Sequence, residues 1–193
     1  MLNNELIEKY KVILKSRLNE KRYNHSLCVA DEAKRLAIKY GGDVDKCYLA
    51  GLLHDITKNS PDSEHLQLFE TFGIMLSVVE KNAKKLWHAM SGEVYLKNIL
   101  GITDEEILDA VRYHTTAKGN MSLTAKILYL ADFTSLDRDY PDVDVIRNYV
   151  DESLDKAFIY ALQYSITDLV EQKRAIHPDT VCAYNEYCLK GEK

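Results

Sequence analysis

Apolar residues recur along the chain at three- and four-residue intervals, the spacing of one face of an α-helix. His25, Val29, Glu32 or Ala33, and Leu36 share such a face, and the stretch stops at Gly41-Gly42, a C-terminal helix signal. Asp43 is placed to cap a helix through Leu49-Ala50-Gly51-Leu52-Leu53, which is apolar on all sides and so is predicted to be buried. Ser60-Pro61 opens a short helix that ends near Gly73. The next runs through Trp87 to about Leu100, with His88, Gly92, Tyr95 and Ile99 on one face. Thr103 and Glu106 have the form of a capping box and start a helix carrying Ile107, Ala110, Val111 and His114. Ser122 caps another, with Ala125, Leu128 and Asp132 aligned. From Asp144 the stripe Ile146, Val150, Leu154, Phe158, Leu162, Ser165, Leu169 predicts one long amphipathic helix. His177-Pro178-Asp179-Thr180 breaks the pattern before a last helix with Cys182 and Tyr187.

No run alternates with period two between hairpin turns, and 8 Gly and 3 Pro leave few turns to spend among 193 residues. The expected fold is all-α: a single-domain helical bundle over residues 1–193, with a core at about 20–135 completed by C-terminal helices at about 144–190. Hydrophobic residues at 46% and charged residues at 28% suit a globular protein with a sizeable core. The net charge of −5 gives no basic field for nucleic acid. No apolar run approaches the roughly 18–20 residues that span a bilayer, and the N-terminus lacks the basic-then-apolar form of a signal peptide. Four cysteines without a CxxC pair (Cys28, Cys47, Cys182, Cys188) read as packed, reduced thiols, so the expected compartment is the cytoplasm.

Several polar residues stand where the apolar stripes predict core. His54-Asp55 ends the most apolar run, His114 continues the Ile107/Val111 face, and Asp132 continues the Ala125/Leu128 face. His25 and His88 also lie on sides their helices should bury. A carboxylate or imidazole buried without a partner costs several kcal/mol, so such groups are normally paired or metal-bound. Any one of these histidines alone reads as a hydrogen-bonded core residue. Four His and two Asp, each from a different helix or helix end, read instead as a metal site. His65 falls on a polar helix and is expected at the surface, and His177 reads as a turn residue before Pro178.

The ordered segments Arg22-Tyr23-Asn24-His25-Ser26, Leu53-His54-Asp55-Ile56-Thr57-Lys58, His88-Ala89, Tyr113-His114-Thr115-Thr116 and Leu130-Ala131-Asp132 resemble the metal-dependent phosphohydrolases of the HD superfamily. So do the later Arg138-Asp139-Tyr140-Pro141 and His177-Pro178-Asp179-Thr180. Within that superfamily the chain is similar, over nearly its whole length, to the bacterial symmetrical bis(5′-nucleosyl)-tetraphosphatases. It departs from their pattern at Ala117-Lys118-Gly119 and at Ser135-Leu136-Asp137.

The resemblance implies one metal on His25, His54, Asp55 and Asp132 and a second on His88 and His114, with Asp55 shared. Iron is the metal it implies, with manganese, cobalt or zinc as alternatives. It also implies a small nucleotide substrate, diadenosine tetraphosphate, cleaved to two nucleoside diphosphates. Two-metal centres activate a water and clamp phosphoryl oxygens during in-line displacement. His54, Asp55 and Lys58 are then the expected catalytic set, and Arg22 and Arg138 the phosphate clamps. Thr115 and Thr116 either donate hydroxyls to phosphate or merely end their helix, and the resemblance places Ile176, His177, Pro178 and Thr180 in the nucleotide pocket. His25, Asp55 and Asp132 also face the substrate in this reading. A homodimer is left open. Rival readings are an HD nucleotidase for deoxynucleotides or guanosine polyphosphates, and a non-catalytic nucleotide-sensing module.

Overall fold

The computed structural model describes residues 2–190, so residue 1 and residues 191–193 at the limits of the 1–193 span lie outside the described residues. The described residues form eleven α-helices joined by short turns, with no strand among them. In chain order they are α1 (Asn4–Arg17), α2 (Glu20–Tyr40), α3 (Val44–Leu53), α4 (Asp62–Thr71), α5 (Val78–Asn82) and α6 (Trp87–Asn98). Then follow α7 (Glu105–Tyr113), α8 (Leu123–Thr134), α9 (Val143–Glu152), α10 (Leu154–Glu171) and α11 (Pro178–Lys190). The all-α expectation holds.

The capping signals explain most boundaries. Asn19, Asp43, Ser122 and Ser153 each accept a backbone N–H of the first turn, satisfying donors the helix itself leaves unpaired. Helix α2 closes at Gly41 in the left-handed conformation, φ 71°. Three expectations change. Asp104, not Thr103, caps α7, accepting from the amides of Glu106 and Ile107 while its other oxygen pairs with Lys46 at 3.0 Å. A carboxylate there complements the helix dipole as a hydroxyl cannot. The stripe from Asp144 spans two helices, because Ser153 is extended (φ −157°, ψ 128°) and starts α10 afresh. The buried side of the stripe survives the break: Ile146, Val150, Leu154, Phe158 and Leu162 are all buried. Helix α6 ends at Asn98, which leaves Ile99 off the predicted face and 54% exposed.

Helix α1, and α5 with the short 3₁₀ turn Lys84–Leu86, are additional elements. Helix α5 starts from a capping box in which Ser77 and Glu80 satisfy each other's backbone.

One continuous core runs from Tyr10 through α2, α3, α7 and α8 to Phe158 and Ala183. Helix α3 lies flush on α2. A Cβ on Gly51 would meet the Cα of Ala30 at 2.8 Å, so only glycine lets the two backbones approach this closely. A second, smaller core of Phe69, Trp87 and Met90 joins α4 to α6. His65 belongs to it and is buried, correcting the expected surface position. Its Nδ1 is 2.7 Å from Ser91 Oγ and its ring lies against Phe69 and Trp87. Cys47 is buried, Cys28 is half-buried, and Cys182 and Cys188 are exposed, so the packed-thiol expectation fails for the last two. All four are unpaired.

Candidate metal centre and adjoining cavity

The sequence-predicted ligands come from five places. His25 is on α2, His54 caps the C-terminus of α3 with Asp55 beside it, His88 opens α6, His114 caps α7, and Asp132 is in the last turn of α8. Ending α3 and α7 at a histidine turns each ring back over its own helix. His54 Nδ1 is then 2.7 Å from Gly51 O, and His114 Nδ1 is 2.7 Å from Val111 O. With Nδ1 donating to a carbonyl, Nε2 is left as the free lone pair.

Those Nε2 atoms converge. His25 Nε2 is 3.0 Å from Asp132 Oδ1, His88 Nε2 is 3.1 Å from His114 Nε2, and Asp55 Oδ1 is 3.2 Å from His88 Nε2 and 3.7 Å from His114 Nε2. His54 Nε2 is 3.5 Å from the other Asp55 oxygen and 3.9 Å from Asp132 Oδ1. Three overlapping triads have their donor atoms within 4.8 Å of one another: His25, His54, Asp55; His54, His114, Asp132; and Asp55, His88, His114. The residues fit a divalent metal. His54 Nε2 and Asp55 Oδ1 are buried with no hydrogen-bond partner, and an unpaired buried acceptor is costly unless something binds it. Imidazole and carboxylate together suit borderline transition metals.

The electrostatics keep Asp55 and Asp132 ionised and His88 neutral. Burial alone would raise the Asp55 carboxyl, but the imidazoles packed around it, His54 foremost, hold it well below its ordinary range. Asp132 is likewise held down against burial by Arg138 and His25. Burial lowers His88 to about 4, so its ring is neutral near pH 7.

Three cations reach the cluster. Arg22 Nη1 donates to Asp55 Oδ2 at 3.1 Å, Arg138 Nη2 donates to Asp132 Oδ1, and Lys58 Nζ is 2.9 Å from His88 Nε2 and 3.6 Å from Asp55 Oδ1. Burial pushes the Lys58 ammonium down, while Asp55 and Asp132 oppose that shift.

Thr115, which follows His114 in the chain, lines a cavity of about 620 Å³ together with Thr116, His177 and Thr180. Thr115 Oγ1 is buried there without a partner, whereas the Thr180 hydroxyl donates to Thr116 O at 2.7 Å. Lys81, Lys84, Lys85 and Arg174 give the cavity a cationic border. Ile176 lies elsewhere, in a neighbouring groove with Ile166 and Tyr184, and Pro178 is exposed at the first position of α11. The segment from Ile176 to Thr180 thus sends only His177 and Thr180 into this cavity.

Residues 22–137 match the model of the HD domain. The chain belongs to the HD-domain family. This HD protein is 33% identical over 172 residues to the symmetrical bis(5′-nucleosyl)-tetraphosphatase of Bacillus subtilis, covering 89% of this chain and 92% of that one. It is 35% identical to the enzyme of the same name from Halalkalibacterium halodurans, covering 92% and 95%. Among solved structures it superposes on a "predicted HD superfamily hydrolase involved in NAD metabolism" from Clostridium acetobutylicum with TM-score 0.92, 35% identity and coverage of 95% and 97%. No helix among the described residues is long and apolar enough to cross a membrane.

Three participants were not found from the sequence. Asp137 Oδ2 is 2.8 Å from His25 Nδ1. Glu80 accepts from Arg112 at 3.0 Å and lies 3.6 Å from His177 Nε2, tying α5, α7 and the start of α11 together around the cavity. Arg147 donates to the carbonyls of Thr134, Ser135 and Arg138, holding the loop after α8. Of these, only Glu80 carried a sequence signal, the Ser77-x-x-Glu80 capping box.

Proposed function

We propose that this protein is a metal-dependent hydrolase that cuts diadenosine tetraphosphate symmetrically into two molecules of ADP. The observation that carries the reading is the convergence of four imidazoles and two carboxylates beside the cavity, in a chain about a third identical, over some nine-tenths of its length, to symmetrical tetraphosphatases. In this reading residues 1–193 act as one domain, with the C-terminal helices supplying His177 and Thr180 to the cavity wall.

Two ions per chain, iron first among the candidates, suit the six donors. His25, His54, Asp55 and Asp132 would hold one, and His88 and His114 the other, with Asp55 shared. When bound, such ions supply Lewis acidity and an activated water for attack on phosphorus. The chain's own residues do the rest. Arg22, Lys58 and Arg138, now resting on Asp55, His88 and Asp132, turn to the phosphate oxygens of the substrate and offset the charge that builds on the departing diphosphate. The unpaired Thr115 hydroxyl donates to a phosphate oxygen. The cavity takes one nucleoside end, with its cationic border facing the polyphosphate.

A substrate panel tests this reading. With iron or manganese supplied, diadenosine tetraphosphate is expected to be hydrolysed in preference to deoxynucleoside monophosphates and guanosine polyphosphates. Cleavage of a mononucleotide with diadenosine tetraphosphate untouched would overturn it.

A further inference from the structure

The histidines of the cluster are not oriented alike. His54 and His114 are each held through Nδ1 by the carbonyl three residues back, on the same chain turn. His25 has no such carbonyl partner. It sits in the second turn of α2, where the helix uses its own carbonyls, and its Nδ1 instead meets the Asp137 carboxylate at 2.8 Å. Asp137 is set in turn: its other oxygen accepts from Ser135 Oγ at 2.8 Å, and the Arg138 amide closes the turn on Ser135 O at 3.0 Å. From α9, Arg147 grips three carbonyls of this loop at 3.0–3.2 Å.

From this arrangement we infer that Asp137 is a positioning residue for the metal centre, fixing the ring and tautomer of His25 so that Nε2 faces Asp132 and His54. This rests on the metal-centre reading above but not on the choice of substrate. The chemistry follows from the ring itself. An imidazole that gives Nε2 to a cation keeps its remaining proton on Nδ1, and a carboxylate there receives that proton and makes the ring a stronger donor. Outer partners of this kind typically change metal affinity about 10–100-fold. Asp137 and Arg138 are adjacent, so one loop turns the ligand His25 on one side and grips the ligand Asp132 on the other.

The test is cobalt(II) binding by the full chain, measured in competition with a chromophoric chelator, with helical circular dichroism recorded on each protein. Asp137→Ala is expected to bind cobalt about 10–100-fold more weakly than the unmodified protein. Asp137→Asn keeps the shape but offers a weaker acceptor, and is expected to lose at least about threefold, less than the alanine variant. Asp139→Ala removes a neighbouring exposed charge and is expected to stay within about twofold. Binding unchanged in either Asp137 variant, or an equal loss in Asp139→Ala, would overturn the inference. No cobalt uptake by the unmodified protein would overturn the metal reading with it, a result distinct from equal binding by all.

Discussion

Asp55 Oδ1 stands 3.2 Å from His88 Nε2, while its other oxygen lies 3.5 Å from His54. One carboxylate therefore serves histidines from α3 and α6, and it takes part in two of the three donor triads. His54 and His114 likewise each take part in two, so the triads overlap through these three residues.

Replacing Asp55 by Asn keeps the volume but removes the charge that lies among these imidazoles. Loss of an outer partner alone costs about 10–100-fold, so losing this ligand is expected to lower hydrolysis at least about a hundredfold and to deplete bound metal. Helical circular dichroism should be retained. Metal content and activity at the unmodified level would remove Asp55 from the site.

Gly51 touches the centre indirectly. Its missing Cβ lets α3 lie on α2, and its carbonyl holds His54 Nδ1. Gly51→Ala is expected to destabilise by about 1–3 kcal/mol through overpacking, with the melting temperature falling by roughly 2–4 °C per kcal/mol. Cobalt affinity should fall with it, because His54 must shift. Thermal unfolding and metal titration of the same sample check both.

Glu80, between the cavity-lining Val79 and Lys81, has its own pH dependence. Burial pushes the Glu80 carboxyl up, but the Ser77 amide and hydroxyl and the Arg112 guanidinium outweigh it and hold the group below its ordinary 4.5. A depressed native value means that the unfolded chain binds the proton more readily. The stabilisation is therefore present above about pH 4.5 and lost as pH falls through the native value. Relative to Glu80→Gln, the unmodified protein is expected to be about 1–3 kcal/mol more stable at neutral pH. The difference should shrink on acidification. Denaturant melts at pH 7 and below pH 4 measure it.

The cysteines should react in order of exposure. Burial pushes the Cys47 thiol up to about 11, whereas Cys182 and Cys188 are open to solvent. Iodoacetamide at pH 8 is expected to label Cys182 and Cys188 first and to leave Cys47 intact in the folded protein. Peptide mass mapping checks the order.

The His/Asp cluster was legible because it violates the helical pattern. His54, Asp55, His88, His114 and Asp132 occupy positions that should be apolar, and burial makes each such exception expensive. Partners supplied by loops left no periodic trace. Asp137 and Arg147 meet the site only after the chain turns beyond α8, and their contacts depend on that turn. Ser153 was hidden for the opposite reason: the stripe keeps its four-residue spacing through the break, so periodicity reads straight across it. His65 was misplaced because its chain neighbours are polar, whereas its partner Ser91 comes from another helix. Tertiary packing, not local propensity, decides such positions.

The most direct measurement is chromatography of the products released from diadenosine tetraphosphate by the iron-loaded protein. ADP as the sole nucleotide product is the predicted result. Release of AMP with ATP, or no release at all, would contradict the symmetrical assignment.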